Sequence, residues 1–132
     1  MKILNFGSLN IDYVYSVDHF VQKGETLLSN DLNVYSGGKG LNQSVALGRA
    51  GARVYHAGAV GEDGSFLLKL LNDSGVDTSY VLESEAVRTG NAIIQTDKTG
   101  DNCILLFGGA NQEITKEQVD ETIDFFEPGD FI

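Results

Sequence analysis

The chain has 132 residues, 42% of them hydrophobic and 21% charged, enough apolar content for one buried core and too much for a disordered segment. Nine lysines and arginines against 19 aspartates and glutamates leave a net charge of −10, which argues against a nucleic-acid surface. Cys103 is the only cysteine, so an intrachain disulfide and a multi-cysteine metal site are both excluded, and a reducing cytoplasm fits best. Residues 1–14 carry one lysine and an apolar run cut by Asn5, Asn10 and Asp12, the wrong shape for a signal peptide. No stretch reaches membrane-spanning length.

Residues 2–6 form a short apolar run that stops at Gly7, which predicts a buried strand. Three β-rich pieces follow at 10–17, 25–29 and 32–35, punctuated by Gly24 and by Asn30-Asp31, and they predict a small antiparallel sheet outside the main core. Residues 39–50 have helical composition, open on Gly37-Gly38 and close at Gly51 as a C′ glycine. A strand is predicted at 53–60. Phe66, Leu67, Leu70 and Leu71 form the stripe of an amphipathic helix running from about Asp63 to Gly75. This alternation predicts βαβ units, hence a parallel sheet covered by helices.

Two more strands, at 90–96 and 102–107, flank a polar turn at 97–101, a hairpin able to join the small sheet. Thr115 followed by Gln118 fits a capping box, and Val119, Ile123 and Phe126 then share a helical face. After Pro128-Gly129, the residues Asp130-Phe131-Ile132 read as the first of another buried strand, so the chain is expected to be part of a longer fold.

The densest motif is Ser36-Gly37-Gly38-Lys39-Gly40-Leu41-Asn42-Gln43-Ser44, placed where the small sheet turns into a helix. Glycines allow close approach to backbone, first-turn amides can donate to an anion or polyol, and Asn42 adds a donor and an acceptor. A P-loop is excluded, because Asn33 and Gly40 stand where that pattern needs glycine and a hydroxyl residue. Gln43 likewise breaks the dinucleotide-binding pattern. Upstream, Asn10-Ile11-Asp12 lies in a strand, so Asn10 and Asp12 project from one face and offer an amide and a carboxylate to neighbouring hydroxyls. An isolated Asn-x-Asp equally serves local turns or a solvated strand edge.

Together these residues resemble the ribokinase-like carbohydrate kinases of the PfkB family. The family's N-terminal signature is met at Gly37, Gly38, Gly40, Asn42, Ser44, Gly51 and Gly61, and Gly24-Glu25-Thr26, Gly61-Glu62-Asp63 and Gly108-Gly109-Ala110-Asn111 fall in family order. Lys39 and Gln43 within the motif look like the ribose-specific branch, as against another small sugar or a nucleoside. The resemblance implies an α/β fold: a partial ribokinase-like fold, a parallel sheet flanked by helices with a small β-sheet lid. Residues 1–132 would be the N-terminal part of one domain, with lid strands within 10–35 and 90–107. It also implies that Asn10, Asp12, Gly38, Lys39 and Asn42 contact the sugar, that the lid forms a homodimer, and that ATP and Mg bind mainly to a C-terminal half absent here. No catalytic residue is assigned within the chain. A non-catalytic sugar-binding or dimerisation module is the alternative of another class.

The other candidates favour plain structural roles. His19 and His56 lack carboxylates at ligand spacing, and Cys103 reads as a small buried hydrophobe. Tyr13, Tyr15, Phe20 and Tyr35 read as core or dimer contacts. Asn111 either lines the sugar pocket, as its family position implies, or completes a turn.

Overall fold

The computed structural model describes residues 1–132. In chain order its elements are β1 (Ile3–Phe6), β2 (Asn10–Ser16), β3 (Asp31–Gly37), α1 (Lys39–Arg49), β4 (Val54–Gly61), α2 (Ser65–Asp73), β5 (Val76–Ser84), β6 (Gly90–Thr96), β7 (Asn102–Phe107) and α3 (Lys116–Ile123). Short 3-10 turns at Glu62–Gly64 and Gly109–Gln112 precede α2 and follow β7.

The strands divide into two sheets. The core sheet is parallel, in the order β1-β4-β5. All eight residues of β4 are buried, as a central parallel strand covered on both faces requires. On one face Val54 and Val60 pack with Leu9 and Ile11, with Leu41 of α1 and with Leu67 and Leu71 of α2. On the other, Tyr55 and Ala57 pack with Leu4, Phe6, Tyr80 and Phe126. There Phe125 and Phe126 meet the Tyr55 ring edge-on, with centroids 5.3 and 5.6 Å away, a favoured aromatic geometry. The expected core architecture is present.

The second sheet has the order β3-β2-β6-β7. It was expected to be antiparallel, and its outer pairs are, but the central pair β2·β6 is parallel. The reason is topological: both strands leave the core sheet at the same end and so enter the second sheet in the same direction. Residues 25–29 form no strand. Leu28 is 89% exposed, and side chains hold the segment instead, with Gln22 N–H donating to Glu25 Oε2 at 2.9 Å and His19 Nε2 lying 2.7 Å from Glu25 Oε1.

β5 is an addition to the predicted elements. It pairs with β4 alone and exposes Asp77, Ser79 and Glu83, so its polar face imitates a loop in the sequence. Cys103 is only half-buried, because β7 is the edge strand of a thinly covered sheet. The helix ends agree with their signals: Gly51 follows α1 with φ +85, and Thr115 Oγ1 accepts from Gln118 N–H at 3.2 Å. The capping box is half made, since the Gln118 side chain donates to Gly58 O at 3.0 Å. Phe131 bridges to Ile3 in parallel, on the edge of β1 opposite β4. No helix is long and apolar enough to cross a membrane.

Candidate functional site

Only Gly7, Ser8 and Leu9 separate the end of β1 from the start of β2. Leu9 is fully buried and Ile11 is 3% exposed, and strand alternation then turns Asn10 and Asp12 the other way. Both line an open cleft of about 480 Å³, shared with Ser8, Gly38, Lys39, Asn42, Gly108 and Asn111. Its apolar wall comes from the second sheet: Ala92 and Ile94 of β6 with Leu106 and Ile104 of β7, two cross-strand pairs on one face of the sheet. All five residues singled out as sugar contacts in the sequence therefore stand in one cleft.

The mouth of α1 is shaped by Gly38, whose φ of +102 lies in the left-handed region that side chains disfavour. A Cβ there would also run into Ser8 O. Leu41 N–H donates to Ser8 O at 3.1 Å. No side chain caps the helix, which leaves the amide of Lys39 at the cleft without an intrahelical acceptor.

Asp12 is half-buried with no hydrogen-bond donor of the protein on its carboxylate. Burial pushes its pKa up from the usual value, because desolvation penalises the charged form. Such a carboxylate is an acceptor awaiting donors from a ligand.

Beneath the cleft lies a buried chain of polar groups that the sequence did not reveal. Asn5 Nδ2 donates to Gly40 O at 2.8 Å and to Ser44 Oγ at 2.9 Å. Ser44 Oγ lies 2.7 Å from His56 Nδ1, and His56 Nε2 lies 3.1 Å from Gly7 O. The carbonyl makes Nε2 the protonated nitrogen, so Nδ1 accepts from the Ser44 hydroxyl. Burial depresses the His56 pKa to about 4, against a smaller raising effect of the Gly7 bond. His56 is thus a neutral tie between β4, α1 and the link that follows β1. His19, by contrast, sits exposed beside Glu25.

A smaller cleft of about 300 Å³ lies among Glu62, Asp63 and residues 84–88. Its Asp63 is already committed, accepting from Thr89 N–H at 2.8 Å and facing Arg88 at 3.3 Å. No three His, Cys, Asp or Glu side chains of the chain are grouped to hold a metal ion.

The sequence matches the pfkB family carbohydrate kinases over residues 1–132. It is 34% identical over 134 residues to the ribokinase of Staphylococcus aureus, covering 99% of this chain and 44% of that one. The Thermotoga maritima ribokinase structure is 35% identical, with a TM-score of 0.82 over 92% of this chain and 40% of that one. An Arabidopsis thaliana ribokinase solved with ribose and ATP is 31% identical, with a TM-score of 0.75 over 83% of this chain and 36% of that one. A deoxyribokinase of Salmonella typhimurium is also similar, at 29% identity over 126 residues, 94% of this chain and 41% of that one. The chain belongs to the pfkB family of carbohydrate kinases. It spans less than half the length of these relatives.

Proposed function

We propose that this chain supplies the sugar-binding and lid part of a kinase that uses ATP to phosphorylate ribose at its primary hydroxyl. The observation that carries the reading is the cleft itself. An unpaired carboxylate on Asp12, the Asn10 amide one strand step away, and Lys39 and Asn42 on the first turn of α1 face one space. Hydroxyls need partners that both give and accept hydrogen bonds, and this set offers both. The similarity to a ribokinase solved with ribose and ATP supports the same reading.

In this proposal the chain's task is positioning. Hydrogen bonds hold the sugar while the lid wall excludes water, so that one hydroxyl meets the phosphate in a productive orientation. ATP would supply the transferred phosphoryl group. The proposal gives this chain the binding residues and leaves the catalytic base and the main ATP and Mg site to the rest of the kinase. The exposed apolar residues of β7, Leu105 and Phe107 at 69% and 50%, suit a second copy of the lid, which supports a homodimer.

The apolar wall of Ile94, Ile104 and Leu106 favours one alternative, a kinase whose substrate carries a nucleobase. An ADP-release assay on the protein from its complete reading frame, with ribose, deoxyribose, other pentoses, hexoses and nucleosides, separates the two. Ribose is expected to give the highest kcat/KM. Turnover of none of these substrates overturns the proposal.

A further inference from the structure

Asn111 stands 102 residues from Leu9 in sequence and is bonded to both of its peptide groups. Its Oδ1 accepts from Leu9 N–H at 2.9 Å, and its Nδ2 donates to Leu9 O at 3.1 Å. A backbone N–H can only donate and a backbone carbonyl can only accept. These two bonds therefore leave the Asn111 amide one permitted orientation. Nδ2 also lies 3.2 Å from Gly108 O, a further acceptor on the same side.

That orientation dictates the next one. Asn111 Nδ2 lies 2.8 Å from the Asn10 side chain, and a donor at that distance requires an acceptor, so the Asn10 atom is Oδ1. The remaining Asn10 group, its NH2, has no partner in the protein and is left for the cleft. A second observation agrees. Gly90 is the strand neighbour of Asn10, and a Cβ at Gly90 would strike Asn111 Nδ2 and come within 2.6 Å of Asn10 Oδ1. The glycine leaves the room the bridge occupies.

Resting on the reading of this cleft as a sugar site, we infer that Asn111 is a positioning residue that fixes the polarity of Asn10, so that the cleft presents one donor from Asn10 beside one acceptor from Asp12. The ligand chemistry this selects is a pair of neighbouring hydroxyls, one accepting and one donating. If Asn10 could turn over, its carbonyl would face the cleft beside the Asp12 carboxylate, and the site would ask for two donated protons.

The test is a two-residue cycle on the protein from its complete reading frame: wild type, Asn10→Ala, Asn111→Asp and the double variant, read by the KM for ribose, the KM for ATP and the melting temperature. Aspartate keeps the shape of Asn111 but cannot donate to Asn10. Either single variant is expected to raise the ribose KM about tenfold, with the ATP KM within about twofold, and the double variant is expected to be no worse than the worse single one. An unchanged ribose KM in Asn111→Asp, or multiplying effects in the double variant, overturns the inference.

A second measurement needs no turnover and no variant. Side-chain amide NMR of the wild type is expected to show the Asn10 NH2 protons exchanging quickly with water and those of Asn111 protected. The reverse pattern overturns the inference whatever the kinetics give. If the wild type phosphorylates no sugar while the amides behave as expected, the kinase reading fails and the geometric assignment stands.

Discussion

β4 and β7 are both rich in apolar residues, yet their fates differ. Every residue of β4 is buried between α1 and α2 on one face and the aromatic cluster of Tyr55, Tyr80, Phe125 and Phe126 on the other. In β7 the run Ile104, Leu105, Leu106 and Phe107 is 50 to 69% exposed. Apolar composition alone decides neither outcome. The core strand is covered because crossover helices return across it, whereas the lid strand reaches beyond every helix of the chain. One region makes the buried core and the other leaves an apolar face exposed.

The sharpest way to break that comparison is to truncate one leucine in each region. Leu71 is fully buried against the core sheet, so Leu71→Ala is expected to lose about 2–5 kcal/mol of unfolding free energy in a urea titration. Leu105→Ala in the second sheet, measured at a concentration at which the chain is monomeric, is expected to stay within about 0.5 kcal/mol. Equal losses in the monomer would mean that this face is packed within its own chain.

The next effect is a pH dependence confined to the core. His56 has a folded pKa of about 4 against an ordinary 6.5. The unfolded chain therefore binds the proton first, and the stability tied to neutral His56 is complete above pH 6.5 and lost as pH falls towards 4. The separation corresponds to a loss on the order of 3 kcal/mol. Melting temperature followed from pH 7.5 to 4 checks this, and His56→Gln is expected to flatten the pH 6.5 to 4 portion of the curve. An equally steep curve in that variant would assign the dependence to other groups.

Asp12 sets function against stability. Its carboxylate is held with a raised pKa by burial alone, so removing the charge relieves a desolvation cost. Asp12→Asn is expected to melt no lower than wild type while its ribose KM rises by a factor corresponding to about 1–3 kcal/mol. A lower melting point with an unchanged ribose KM would make Asp12 a structural residue. The smallest effect lies in the lid face. Under the homodimer proposal, wild type is expected to sediment as a dimer and Leu105→Glu as a monomer, with the melting curve of the monomer within about 0.5 kcal/mol of wild type. An unmoved dimer would place the contact elsewhere.

Much of this was legible because it is local. The glycines bracketing α1, the hairpin of β6 and β7 and the shared face of Asn10 and Asp12 follow from spacing alone. β5 was not, since an edge strand needs only half an apolar pattern. Residues 25–29 carry Leu27 and Leu28 but pair with no strand, and the apolar pair by itself predicts β structure where none forms. The ties from Asn111 to Leu9 and from Ser44 to His56 join distant parts of the chain, and no local signal specifies which polar side chains will meet.

Asn10 pairs with Gly37 on one side and Gly90 on the other, and the chain re-enters the core region next to this row at Gly38, Thr89 and Gly108. If the sheet tilts about this row, the far end of β2 at Ser16 is the tip of a lever about 20 Å long. A tilt of about 10° carries that tip about 3.5 Å on the same geometry, while the side chains of the row scarcely translate. Under the proposed function, a sheet tilting there would carry its apolar wall across the cleft while Asn10 and Gly38 stay in place.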